Sequence, residues 1–150
     1  MKQQTFIMLK PDAVERGLVD DIMNIFKESG YQIERSQEVL VDEKLILKHY
    51  EDVIKALNID YFQGAILDLF LGKKVYAYVI SKEGEHVIED VRKLIGATDP
   101  AKADSKSIRG LYGIDALSKS MAEKRMLKNL IHASDSLESA QKEIRLWFGH

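Results

Sequence analysis

The run Asn129-Leu130-Ile131-His132-Ala133-Ser134-Asp135 sets one histidine behind apolar residues and ahead of Ser134, Asp135 and Ser136, three side chains that favour helix N-caps. Leu137, Ala140, Ile144, Trp147 and Phe148 follow at helical spacing. The stretch therefore reads as a short buried strand, a tight turn and an amphipathic helix. His132 stands near the strand end, close to a helix N-terminus, where an anionic phosphate is favoured. An imidazole in its neutral form is a nucleophile. Glu143 is its natural partner. Extended chain from His132 to Ser136 covers about 13 Å, and the helix from Ser136 back to Glu143 covers about 10 Å. Glu143 thus returns roughly level with His132, on the border of the apolar stripe beside Trp147. A carboxylate there fixes the imidazole tautomer and supports positive charge on the ring. The plainer alternative is a packed strand-end histidine and a snorkelling glutamate.

A second charged group stands at another strand end. Thr5-Phe6-Ile7-Met8-Leu9 reads as a buried strand, ended by Lys10-Pro11-Asp12 because proline breaks the ladder. The Lys10 ammonium could serve a phosphate as a point charge or be a solvated surface lysine. His49, His86 and His150 lie outside the motif. His86 has no partner histidine at ligand spacing, which argues against structural zinc. Gly113 to Ser120 nearly matches a Walker A loop, but Ser118 replaces its second glycine and no strand precedes it, so it is rejected as a phosphate loop.

Read as NLIHASDSLESAQKEI followed by LWF, the histidine run resembles the active-site signature of the nucleoside diphosphate kinases. The opening TFIMLKPDAVERGLV is similar to that family's first strand and helix, and the resemblance extends from Thr5 to Phe148. Gly96-Ala97-Thr98-Asp99-Pro100 resembles the family's G-x-T-x-P loop, and Ile108-Arg109-Gly110 its I-R-G. The resemblance implies a γ-phosphate transfer from a nucleoside triphosphate to a nucleoside diphosphate through phosphohistidine at His132. It implies support from Glu143, Tyr50 and Ser134. Nucleotide contacts fall on Lys10, Tyr61, Arg92, Thr98, Arg109 and Asn129, with Tyr61 stacking on the base. Forked guanidinium donors suit di- and triphosphate oxygens. Mg²⁺ would bridge phosphates, with Asp135 reaching it through water. A homo-oligomer is also implied, usually a hexamer and sometimes a tetramer. The chain departs from the pattern at Ala13, where many members have glycine, and in a longer Val53–Asp60 segment. It lacks the P-G-T before I-R-G, and the stretch from Leu111 to Lys128 is markedly longer.

With 150 residues the chain is expected to form one domain, residues 1–150. Hydrophobic residues at 45% and charged residues at 31% place it among globular proteins. The absence of cysteine excludes disulfides and thiol catalysis and fits a reducing cytoplasm. No apolar run approaches the ~18 residues of a membrane span, and residues 1–10 lack a signal-peptide pattern. A net charge of -2 argues against dedicated nucleic-acid binding.

Further strands are expected over Tyr31–Val41, where alternation begins and then degrades, and over Val75–Ser81, whose continuous apolarity marks a central strand. Helices are expected around Leu18–Phe26, closed by Gly30, from Asp42 through Tyr50, over Tyr61–Leu71 and over Glu85–Ile95. Leu117, Met121, Lys124 and Met126 hint at a further short, basic helix. Arg92 falls off the apolar stripe of its helix, as a solvated arginine also would. Arg109 is placed in a surface loop, so its replacement is expected to spare folding. Four strands interleaved with helices suit an α+β sandwich with a mostly antiparallel sheet, and the resemblance implies the ferredoxin-like fold. Two rivals belong to other classes: a non-catalytic nucleotide-binding scaffold on the same fold, and a single-stranded nucleic-acid binder. The retained polar residues from Lys10 to Glu143 argue against the first. The second lacks the RNP aromatic pattern and a basic stripe.

Overall fold

A computed structural model describes residues 1–149. Four strands form one sheet: β1 (Lys2–Leu9), β2 (Gln32–Leu40), β3 (Lys74–Glu83) and β4 (Ile131–Ala133). Their order is β2-β3-β1-β4, and every pairing is antiparallel. β3 is central, as its apolar run requires. β2 is an edge strand whose register slips between Ile33 and Arg35, and this irregularity is why its alternation fades.

Helices cover both faces, giving the ferredoxin-like α+β architecture. They are α1 (Pro11–Glu15), α2 (Val19–Glu28), α3 (Glu43–His49), α4 (Glu51–Leu57), α5 (Phe62–Phe70), α6 (Val87–Ile95), α7 (Ile108–Tyr112), α8 (Leu117–Ala122) and α9 (Leu137–Phe148). The short α1 was not legible as a separate helix: Pro11 starts it at the position proline favours, and Gly17 at φ 70° parts it from α2. Asp42 caps α3 by accepting from Leu45 N, and α4 ends in left-handed Asn58.

Strand alternation sorts β1 between two cores. Ile7 and Leu9 join Phe26, Ile80 and Val91 on one face. Phe6 and Met8 join Tyr50, Phe70 and Trp147 on the other. His132 pairs with Met8. Residues directly opposite share a face, so His132 is delivered to the side where α3 and α9 pack. No helix is long and apolar enough to cross a membrane among the described residues.

Candidate active site

The turn after β4 is tight because Ser136 caps α9, its Oγ accepting from Ser139 N at 3.0 Å. The helix then runs back past the strand, and Glu143 meets His132. Nε2 of His132 lies 2.8 Å from Glu143 Oε1, and the same oxygen accepts from Ser134 Oγ at 2.7 Å. A carboxylate oxygen at that distance requires hydrogen on Nε2, which leaves Nδ1 as the nitrogen with a lone pair. The ring keeps 22% of its side-chain exposure, so it is held and still accessible. Phe6, His49 and Tyr50 pack around it. The Tyr50 hydroxyl is buried without a partner among the described residues, and burial, then the Glu143 charge, raise its pKa, so it remains a neutral phenol.

A cleft of about 830 Å³ opens over this ring. Lys10, Tyr50, Arg92, Thr98, Arg109, Asn129, His132, Asp135 and Glu143 all line it. Of the residues expected at the site, Ser134 lies beneath the cleft, bonded to Glu143. Tyr61 lies outside the lining, half-buried as the residue before α5.

Two of the cleft's cations, Lys10 and Arg109, are fixed by hydrogen bonds. Lys10 is 5% exposed and donates from Nζ to Asn129 Oδ1 at 2.7 Å. Asn129 in turn donates from Nδ2 to the Thr98 carbonyl at 3.0 Å. Burial, then the Arg109 charge, lower the Lys10 pKa to about 8, partly opposed by Asp12. Arg109 lies in α7 and not in a surface loop. It donates to three main-chain carbonyls: Asn129 at 3.1 Å, Gly96 at 3.1 Å and Ile131 at 2.6 Å. Glycine is needed at 96, where φ is 98° and a Cβ would collide with Ser107. Arg92 is exposed and makes one long bond, 3.4 Å, to the Ala133 carbonyl.

Between these groups the backbone is strained. Leu130 has φ 75°, and Ile131 N donates across it to the Asn129 carbonyl at 2.9 Å, a γ-turn of the rare positive-φ kind. A branched side chain holds that conformation only when its surroundings over-determine it. Here Asp12 Oδ2 accepts from Leu130 N at 3.0 Å, Lys10 N donates to the Leu130 carbonyl at 2.8 Å, and Arg109 grips the flanking carbonyls. Asp12 and His49 are the site residues that sequence reasoning passed over. Asp12 read as part of a strand-ending turn, and His49 stood outside the motif. The one available signal for His49 was Trp147, four residues beyond Glu143 and hence on the same helix face.

The acidic groups lining the cleft include Asp52, Asp104, Asp135 and Glu143. Glu143 is engaged by His132 and Ser134, and Asp52 by Lys142 at 3.0 Å. Asp135 is exposed beside the imidazole strand. Few free carboxylates in a cleft that also holds Lys10, Arg92 and Arg109 fit Mg²⁺, which is usually held by one or two carboxylates, water and substrate phosphates.

The family model for nucleoside diphosphate kinase matches residues 3–150. Nucleoside diphosphate kinase 1 of Glycine max is 39% identical over 148 residues, covering 99% of this chain and 89% of the relative. The nucleoside diphosphate kinase of Methanosphaera stadtmanae is 41% identical over 148 residues, covering 99% and 87%. Among solved structures, the nucleoside-diphosphate kinase of Borrelia burgdorferi, a transition state mimic with bound vanadate and ADP, superposes with a TM-score of 0.91. It has 33% identity and covers 98% of this chain and 87% of that one. The NDP kinase of Pyrobaculum aerophilum gives a TM-score of 0.86 at 31% identity, covering 99% and 96%. The likeness thus spans nearly the whole chain in sequence and in fold, and the chain belongs to the nucleoside diphosphate kinase family, a family of enzymes.

Proposed function

We propose that this enzyme moves the γ-phosphate of a nucleoside triphosphate to a nucleoside diphosphate in two steps through His132. The single observation carrying this reading is the 2.8 Å contact of His132 Nε2 with Glu143, which leaves Nδ1 as the nucleophilic nitrogen. Nδ1 attacks the γ-phosphorus, a P–N bond forms, and the bond to the bridging oxygen breaks. Its electron pair leaves with the nucleoside diphosphate. The ring, still carrying hydrogen on Nε2, becomes cationic beside the Glu143 carboxylate. A second diphosphate enters the same cleft and reverses the step, which is covalent catalysis of the ping-pong kind.

The diphosphate leaves readily, so the work is positioning and charge neutralisation. Lys10, Arg92 and Arg109 meet phosphate oxygens, and Thr98 adds a hydroxyl. Asn129 and Lys10 hold the sugar. Stacking on Tyr61 would hold any base by its π-face. Mg²⁺ bound with the nucleotide would supply further neutralisation, and Asp135 is the residue that would hold it, through water. Vanadate with ADP on the Borrelia relative supports a transferring group and a diphosphate sharing one cleft. A homo-oligomer, hexameric by family resemblance, is supported by the β2 edge, which leaves Leu40 68% exposed.

The test is incubation with γ-labelled ATP followed by electrophoresis under alkaline conditions. Acid-labile, alkali-stable label is expected on the native chain and none on His132→Gln, which should still bind nucleotide because the phosphate-binding residues are separate. Label persisting on His132→Gln would overturn the mechanism.

A further inference from the structure

His49 has no part in the histidine signature, yet among the described residues no other ring packs as close to His132. The two centroids are 4.5 Å apart and the planes meet at 78°, against 6.0 Å for Phe6 and 6.4 Å for Tyr50. Trp147 Nε1 donates to His49 Nδ1 at 3.0 Å. An indole N–H can only donate, so Nδ1 must present a lone pair, and the neutral ring carries its hydrogen on Nε2. That Nε2 is buried and has no hydrogen-bond partner among the described residues. Protonating His49 would therefore place a second hydrogen against the Trp147 N–H.

The titratable groups facing His49 come from each element around it: Lys10 at the end of β1, His132 on β4, Glu143 on α9 and Tyr50 next in the chain. Burial, then His132 and Lys10, hold its pKa well below the ordinary histidine value. Glu143 pulls the other way, since one donor atom each from His49, His132 and Glu143 fall within 4.8 Å of one another. Such a trio also has the spacing of a metal site. The tautomer argues against that reading, because a ligating imidazole must offer a lone pair, and the nitrogen of His49 not engaged by Trp147 carries hydrogen.

We propose that His49 is a positioning residue kept neutral by Trp147, so that the positive charge arising on His132 during phosphoryl transfer is balanced by Glu143 without a competing cation beside it. The inference rests on His132 as the phosphate acceptor. Attack through Nδ1 with Nε2–H in place makes the His132 ring cationic, and a second imidazolium at 4.5 Å would oppose that charge strongly in a partly buried site. The same carboxylate that favours the reaction would favour protonating His49. The indole bond removes that option by occupying the only basic nitrogen.

The experiment compares pH profiles of kcat/KM for the native enzyme, Trp147→Phe, His49→Gln and the double variant. Phenylalanine removes the donor and frees Nδ1. The acid limb of Trp147→Phe is expected to move up by about one pH unit, so that activity near pH 6 falls about tenfold more than the plateau does. The double variant should regain the native limb, because glutamine at position 49 does not titrate. A packing role alone would lower the plateau and leave the limb in place. Long-range imidazole nitrogen–proton spectra of the native protein should show His49 as the Nε2–H tautomer down to pH 6. A Trp147→Phe limb that superimposes on the native one, or a native His49 protonated at pH 6, would overturn the proposal. If Trp147→Phe does not fold, the native spectra decide. Loss of His132 labelling in the native enzyme would instead sink the transfer reading, while the spectra would still decide the state of His49.

Discussion

At Lys10 burial and charge conflict. Its ammonium is buried beside Arg109, and its pKa falls from 10.5 to about 8, a penalty of about 3 kcal/mol on the charged folded form. Below pH 8 both folded and unfolded chains hold the proton and the penalty is full. Between about 8 and 10.5 only the unfolded chain holds it, so stability rises with pH through that window. Urea denaturation from pH 7.5 to 10 should show this rise in the native enzyme and a flatter profile in Lys10→Met. Nucleotide binding should have the opposite trend. A triphosphate favours the charged lysine, so binding above pH 8 takes up a proton and weakens as pH climbs. Calorimetry at pH 8.5 in buffers of different ionisation enthalpy should record that uptake in the native enzyme and lose it in Lys10→Met. The meeting of His132 and Glu143 was legible in the sequence because strand and helical rise bring them level, whereas Lys10 was singled out by the family resemblance, since its position alone fits a solvated lysine as well. Asp12 and His49 were not legible, because what they do depends on Leu130 and Trp147, which only the tertiary fold brings to them.

At the scale of elements, the γ-turn ahead of β4 separates two arginines that look alike in sequence. Arg109 donates to three carbonyls around the turn and is half-buried, whereas Arg92 is exposed with one long contact. Hydrogen bonds to a charged group are worth about 1.5–3 kcal/mol each. Arg109→Ala is therefore expected to lower both kcat/KM and stability, the latter by several kcal/mol, contrary to the expectation for a loop residue. Arg92→Ala should reduce kcat/KM about tenfold or more and leave the denaturation midpoint nearly unchanged. Equal midpoints for the two variants would remove the turn-holding role. The longer segment after α7 is likewise anchored. Asp115 pairs with Arg125 through both carboxylate oxygens at 2.6 and 2.8 Å and also accepts from Ala116 N and Lys128 N. The Arg125 bonds, first among the causes, hold the Asp115 carboxyl far below its ordinary pKa. Deleting residues 116–124 should preserve phosphohistidine labelling but lower stability, measured by thermal unfolding. The helix here was only hinted at in sequence, because α8 is short and its ends are set by Asp115, Asp99 and the left-handed Lys124 instead of by periodicity.

For the whole molecule, the central place of β3 follows from its continuous apolar run, whereas the edge place of β2 and the order β2-β3-β1-β4 emerge only from the pairing of strands far apart in sequence. That edge should be where copies meet, and analytical ultracentrifugation is expected to find an oligomer in the native enzyme that charged substitution at Leu40 weakens. The γ-turn carries a further consequence, in time. Its restraints link residues 118 and 119 positions apart, Leu130 to Asp12 and Lys10 to Asn129. A strained bend held by partners so distant in sequence cannot persist until the rest of the sheet exists, and such long-range closures form slowly. β4, with only three residues, has little else to hold it early. Refolding should therefore pass through a stage with most of its helix and sheet signal and no competent nucleophile. Trp147, the sole tryptophan, reports the closing step, because its indole reaches its final surroundings only as α9 docks against His49. In stopped-flow refolding, far-UV circular dichroism should recover first, with tryptophan emission and phosphohistidine labelling returning together afterwards.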